Sequence, residues 1–371
     1  MTLIPTSPDE ITTDWINDIL FATNDLSGAR AIDFNITVVG KGIGFMSDLC
    51  RLVPKYESNT NQFPASFVLK FPPQYESGRE TGRNLGIFER EVLFYSNCAN
   101  SVPWCHPPRH YYSTNIGHND DYLLVMEDLQ GHRFVEQTSG INFEDASNIM
   151  IALARFHAHF WQNAALEAQS WLRPYSDYAD IFPDEIKVGW PLLEQNFSCY
   201  MNDQFTALFP QGNALYPEIA NALQRRPTTL LHCDARMENV AFSDLSGPEG
   251  VRFYDWQGCS AGTAAYDVMY FLCMSVNTSD WDSMGQDLIN AYFESLMEAG
   301  ISDYSIQDLR QDMSLAACLM FGFLSMVGNV VQPDDAGHAV MKATIPRFMK
   351  VMSELGVERT LLDFHKNQAT E

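Results

Sequence analysis

The chain has 371 residues, 46% of them hydrophobic and 19% charged, which excludes a disordered polymer and gives length enough for two domains. A formal net charge of -24 opposes binding to nucleic acid or to an anionic membrane surface. No uninterrupted apolar stretch reaches the roughly 20 residues of a membrane helix and the N-terminus carries no leader pattern, so the expected location is the cytoplasm. Eight cysteines without a C-x-x-C pair exclude a zinc ribbon or redox dithiol, and most are expected to be buried small hydrophobes.

Ser7-Pro8-Asp9-Glu10 reads as a capping box with proline at the first helical position, and one or two short helices are predicted over residues 7–20. Alternating β-branched residues predict a strand over 31–39, a glycine-rich loop at 40–47 and a second strand over 48–53. Glycines at such a turn let backbone N–H groups approach phosphate oxygens; a plain hairpin turn is the competing reading, and the spacing does not fit a P-loop. The strand over 65–71 carries Lys70 in apolar company. That lysine either snorkels to solvent or points inward, where it needs an anion. On the following helix, residues 84–95, Ile87, Phe88, Glu91 and Tyr95 share a face while Glu89 points elsewhere, so Glu91 is the expected counter-ion.

A polar, proline-rich connection over 97–121 precedes an apolar strand, residues 122–129, that ends in two acids. A boundary near 128–140 divides the chain into domains 1–128 and 129–371. A helix is predicted over 143–162; its His157 and His159 are two apart, diverge, and read as packed histidines rather than metal ligands. Residues 163–228 read as helical with proline and aromatic breaks, where Trp171, Tyr175, Tyr178, Trp190 and Phe197 serve as core or line a pocket. Thr229-Leu230-Leu231 and Val240-Ala241-Phe242 read as short buried strands that pin the loop between them, and a third apolar run, 251–256, carries Asp255. Asp234, Asn239 and Asp255 together have the chemistry of a nucleotide–metal site. Asp267 then falls in the first turn of a helix, where an acid suits the dipole, and helical periodicity continues to about residue 364.

The ordered set comprises the glycine loop, Lys70, Glu91, Met126-Glu127-Asp128-Leu129, His232-x-Asp234-x-x-x-x-Asn239 and Asp255-Trp256-Gln257. It resembles the protein kinase fold, an α+β architecture with an N-terminal antiparallel sheet lobe and a larger, mainly helical C-terminal lobe. Together with Leu153-Ala154-Arg155-Phe156-His157-Ala158-His159-Phe160-Trp161 it looks like the aminoglycoside phosphotransferase and choline kinase superfamily, and most like its ecdysteroid kinase-like, or CHK kinase-like, group.

That resemblance implies a small-molecule kinase that uses ATP and Mg2+ and phosphorylates a hydroxyl of an ecdysteroid-like, amino-alcohol or aminoglycoside-like acceptor. It implies that Lys70, held by Glu91, meets the α- and β-phosphates, and that backbone around Gly42, Gly44 and Ser47 covers them. Adenine is expected against Met126 and the main chain of Glu127 and Leu129, and Mg2+ on Asn239 and Asp255. Asp234 is expected to take the acceptor proton, with His232 and Asp267 holding its loop. Cys233 departs from the glycine common in the family, and is costly if its φ is positive. A protein kinase fits less well, because Tyr266 follows Asp255 by only eleven positions with no Ala-Pro-Glu between. A catalytically inactive kinase-like nucleotide-binding module is the alternative of a different class.

Overall fold

β-Branched and aromatic residues spaced two apart build five antiparallel strands: β1 (Ala31–Val39), β2 (Asp48–Tyr56), β3 (Phe67–Phe71), β4 (His110–Asn115) and β5 (Tyr122–Glu127). Their sheet order is β1-β2-β3-β5-β4. The structure, a computed structural model, describes residues 4–39, 47–58, 62–115, 122–174, 177, 179, 182–331 and 333–368. These strands belong to the first of two compact units, which comprises Met1–Val102, His106–Gly131 and Tyr254–Gly258; the second comprises Pro103–Cys105, His132–Phe253 and Cys259–Glu371.

Strand alternation sorts the first unit's sheet into two faces. Leu69 lies opposite Cys50 and Val125, and Phe67 opposite Leu52. These residues form one core with Trp15, Ile16, Ile19 and Leu20 of helix α1 (Thr13–Ala22). Lys70, opposite Leu49 and Leu124, therefore faces the other way. The predicted capping box at Ser7 is not made: Ser7 caps nothing, Glu10 instead accepts from the Thr6 N–H, and Thr12 caps α1 by accepting from Trp15 N at 3.2 Å. The helix predicted over 84–95 is cut at Gly86, whose φ of 64° closes α2 (Glu76–Leu85) and opens α3 (Ile87–Asn97). Strand β4 falls in the stretch read as a connection.

Helices dominate the second unit. Asn142 caps α4 (Phe143–His159), and α5 (Ala164–Glu167), α6 (Phe182–Phe197), α7 (Asp203–Ala214) and α8 (Tyr216–Gln224) follow. Short strands then frame the loop at 232–239: β6 (Arg133–Phe134), β8 (Val240–Phe242) and β9 (Val251–Phe253) make one sheet, while β7 (Thr229–Leu231) pairs with β10 (Ser260–Gly262). The chain ends in α9 (Ala265–Ser275), α10 (Trp281–Glu298), α11 (Ile306–Val330), α12 (Asp335–Glu354) and α13 (Val357–Gln368). Helix α11 is long and apolar enough to cross a membrane, but 78% of its apolar window is buried within the protein, so it is a core helix. It crosses α6 backbone to backbone, because Gly189 and Gly328 leave no Cβ at the contact.

Candidate functional site

In the first unit, the face of β3 away from α1 carries Lys70 towards α3. Its ammonium lies 2.7 Å from Glu91 Oε2, 2.9 Å from Glu91 Oε1 and 2.7 Å from Asp255 Oδ1. Lys70 is 4% exposed and Glu91 1%, so both charges are desolvated and depend on each other. Burial pulls the Lys70 pKa down, but the Asp255 and Glu91 carboxylates outweigh it and hold the ammonium well above its ordinary value. One ammonium cannot neutralise two carboxylates. Burial pushes Glu91 up to about 7, with the charge on Asp255 adding to it against the pull of Lys70. With Glu91 ionised the trio holds one negative charge more than positive, an arrangement that suits a further cation.

Two local features bring Asp255 to Lys70. Its backbone takes φ 64°, turning the chain sharply after β9. Trp256 then stacks on Phe94 of α3, centroids 4.2 Å apart and rings 8° from parallel, and its main chain hydrogen-bonds Glu91. The aromatic at 256 therefore anchors the acid-bearing segment to the helix that supplies Glu91. Tyr122, below Lys70 on the same face, hydrogen-bonds Ser47, and burial pushes its pKa up.

The end of β5 is clamped rather than loose. Asp128 accepts from Arg51 Nε at 2.5 Å and from Ser66 Oγ at 2.6 Å, and these donors outweigh burial to hold its carboxyl below the usual range. Met126 and Leu129 are buried, and the Glu127 N–H is given to Arg109 O at 2.8 Å. Gly42 and Gly44 lie outside the described residues, as do Tyr175 and Tyr178.

In the second unit, strands β7 and β8 hold the loop at both ends and Asp267 holds it from below. The fully buried Asp267 carboxylate accepts the N–H groups of His232 (2.7 Å) and Cys233 (2.8 Å), and His157 Nε2 lies 3.3 Å from it. His157 in turn meets the Tyr292 hydroxyl through Nδ1 at 2.9 Å. His157 is thus a packed histidine that orients Asp267, and His159 meets the Phe160 ring edge-on instead. His232 Nδ1 accepts the Asp234 N–H at 3.2 Å, fixing the imidazole on the loop it belongs to. Cys233 adopts φ 63°.

This frame presents Asp234. Its Oδ2 accepts from Asn239 Nδ2 at 2.7 Å, and its Oδ1 accepts from the Tyr270 hydroxyl at 2.6 Å, with Arg236 Nε at 3.3 Å. Arg236 also pairs with Glu238 at 2.9 Å. The Asn239 amide nitrogen donates to the Asp234 main-chain O at 3.0 Å as well as to its Oδ2, which leaves Oδ1 as the acceptor atom of the amide. Magnesium takes one or two protein oxygens, several waters and phosphate oxygens; the Asp255 carboxylate in the first unit and the Asn239 amide oxygen in the second are, each taken by itself, oxygen donors of that kind. Among the described residues no group of three His, Cys, Asp or Glu forms an all-protein metal cage. Tyr270 and Arg236 escaped the sequence reading. Tyr270 sits three residues after Asp267 on α9, so the two share a helical face, and that spacing was the available signal.

Three solved structures share this fold at low identity. A choline kinase from Cryptosporidium parvum aligns with 9% identity over 95% of this chain and 97% of that one, TM-score 0.54. The GDP complex of aminoglycoside 2'-phosphotransferase-IIIa gives 11% identity, 94% and 100% coverage and TM-score 0.54. A microcompartment-associated aminopropanol kinase gives 13%, 95%, 98% and TM-score 0.52. An uncharacterized kinase-like protein of Caenorhabditis elegans is 23% identical over 214 residues, a match that spans 55% of this chain and 55% of that protein. The sequence pattern of the ecdysteroid kinase-like family matches residues 41–301, which hold Lys70, Glu91, Asp234, Asn239, Asp255 and Asp267, and the chain belongs to that family.

Proposed function

We propose that this chain is an ATP- and Mg2+-dependent small-molecule kinase that moves the γ-phosphate of ATP to a hydroxyl of a small acceptor. The observation that carries the reading is the buried Lys70–Glu91 pair with the partly exposed Asp255 on the same ammonium. A buried charge cluster with unequal signs costs several kcal/mol to assemble, and a module that only needs to fold has no use for it. Family membership supports a kinase; the acceptor class is the proposal's own.

Phosphoryl transfer asks a protein chiefly to position reactants and neutralise charge. Lys70, steadied by Glu91, is assigned to the α- and β-phosphates, backbone near Gly42, Gly44 and Ser47 to covering them, and Met126 with the main chain of Glu127 and Leu129 to adenine. Asp255 and Asn239 are assigned to magnesium, which when bound neutralises phosphate oxygens. Asp234 orients the acceptor hydroxyl. A bond forms from the acceptor oxygen to the γ-phosphorus, the bond from that phosphorus to the bridging oxygen of ADP breaks, and the hydroxyl proton passes to Asp234. Help of this kind is worth roughly 10²–10⁴ in rate. An ecdysteroid-like, amino-alcohol or aminoglycoside-like molecule fits the family.

The test is the full chain with γ-labelled ATP, Mg2+ and a panel of hydroxylated small molecules. Label on an acceptor with wild type, and its loss in Asp234→Ala, is the expected result. Nucleotide binding with no labelled product across the panel would instead favour an inactive nucleotide-binding module.

A further inference from the structure

Helix α9 is buried along its whole length, so a polar side chain on it needs an internal partner. Asp267 finds one in the loop N–H groups. Tyr270, 1% exposed, finds one in Asp234. Its ring meets Phe323 edge-on with centroids 5.3 Å apart and lies against Tyr266 at 5.9 Å, so both side-chain torsions are fixed by packing. The hydroxyl is therefore held at a set point. Burial and the neighbouring Asp234 charge push its pKa well above the ordinary value, so it donates.

We infer that Tyr270 is a positioning residue that, with Asn239, holds the Asp234 carboxylate in its working rotamer. The inference rests on the reading of Asp234 as the group that receives the acceptor proton. A carboxylate offers about four lone-pair directions. Among the described residues Asn239 fills one on Oδ2 and Tyr270 one on Oδ1, with Arg236 Nε in ion-pair range of Oδ1 at 3.3 Å. The second direction on Oδ2 is left for an acceptor hydroxyl. Without the Tyr270 hydroxyl, Oδ1 keeps only Arg236, a longer contact shared with Glu238. The terminal torsion of aspartate is broad, so the carboxylate then turns.

Tyr270→Phe keeps every ring contact and removes one atom. A control of the same chemistry is Tyr304→Phe, because the Tyr304 hydroxyl donates to the buried Asp312 at 2.7 Å outside the loop. For Tyr270→Phe, kcat falls by about 10- to 100-fold while KM for ATP and acceptor stays within about twofold, the scale of a misplaced reacting group. Tyr304→Phe loses stability but keeps kcat. Crystal structures of wild type and Tyr270→Phe should show Asp234 leaving its wild-type rotamer in the variant. An unmoved Asp234 with unchanged kcat overturns the inference, and so does an equal fall of kcat in Tyr304→Phe. Absence of transfer by wild type to every acceptor would sink the kinase reading, while the two crystal structures still decide what Tyr270 does.

Discussion

At Cys233 the backbone takes φ 63° between two residues with assigned roles. For an L-residue with a Cβ the left-handed region costs roughly 1–2 kcal/mol, and glycine avoids that at the expense of about 0.5–1 kcal/mol of chain entropy. Cys233→Gly should therefore gain about 0.5–1 kcal/mol in urea unfolding, whereas Cys233→Ala, which keeps the Cβ, should gain nothing. Lower stability of the glycine variant would mean that the thiol contributes more than the strain costs. The loop's chemistry was legible at this scale, since Asp234 and Asn239 five positions apart between apolar runs imply a pinned polar loop. Tyr270 was only faintly legible: its spacing from Asp267 places it on the same helical face, but in an otherwise apolar run a core tyrosine looks the same in sequence as one that donates to a carboxylate.

Elements show which patterns carry structure and which only allow it. Strand β1 matches the alternation over 31–39, because one of its faces meets the α1 core. Strand β4 was hidden, since His110-Tyr111-Tyr112-Ser113-Thr114-Asn115 is an edge strand whose pairing with β5 is a long-range choice. That strand makes the first unit acid-sensitive. Burial lowers the His110 pKa from its ordinary 6.5, against a backbone hydrogen bond with Tyr112, and its Nε2 is buried without a hydrogen-bond partner. With the folded value below the unfolded one, the unfolded chain binds more protons as pH falls through the region of 6.5, so stability present above that pH is lost below it. Urea midpoints compared at about pH 7.5 and 5.5 should fall more for wild type than for His110→Gln. Equal falls would clear His110. At the crossing of α6 and α11, a Cβ on Gly189 would overlap the Ser325 carbonyl oxygen, a backbone atom that cannot rotate away. Gly189→Ala should therefore cost about 2–3 kcal/mol in the same unfolding experiment, and a loss under about 0.5 kcal/mol would mean the helices separate easily.

Across the whole molecule, the assigned roles fall into two chemically distinct sets, one for nucleotide and metal and one for acceptor, and linkage can read them apart without any acceptor being known. A ligand that binds only the folded chain stabilises it by about 2.7 kcal/mol at a hundredfold excess over its Kd. Thermal melts with ATP and Mg2+ should show that rise in Tm for wild type and, undiminished, for Asp234→Ala, whose lost group faces the acceptor. Lys70→Met should lose most of the rise, because the cation assigned to the phosphates is gone. Asp255→Ala should keep whatever rise ATP gives with EDTA and lose the part that Mg2+ adds. The comparison also separates the trio's two acids: Glu91→Gln, which leaves Asp255 in place, should weaken the response to ATP with and without Mg2+ alike, since Glu91 acts through Lys70. If Asp255→Ala retained the full Mg2+ increment, Asp255 would be a partner of Lys70 alone, and the surplus negative charge of the trio would have to serve something other than a metal.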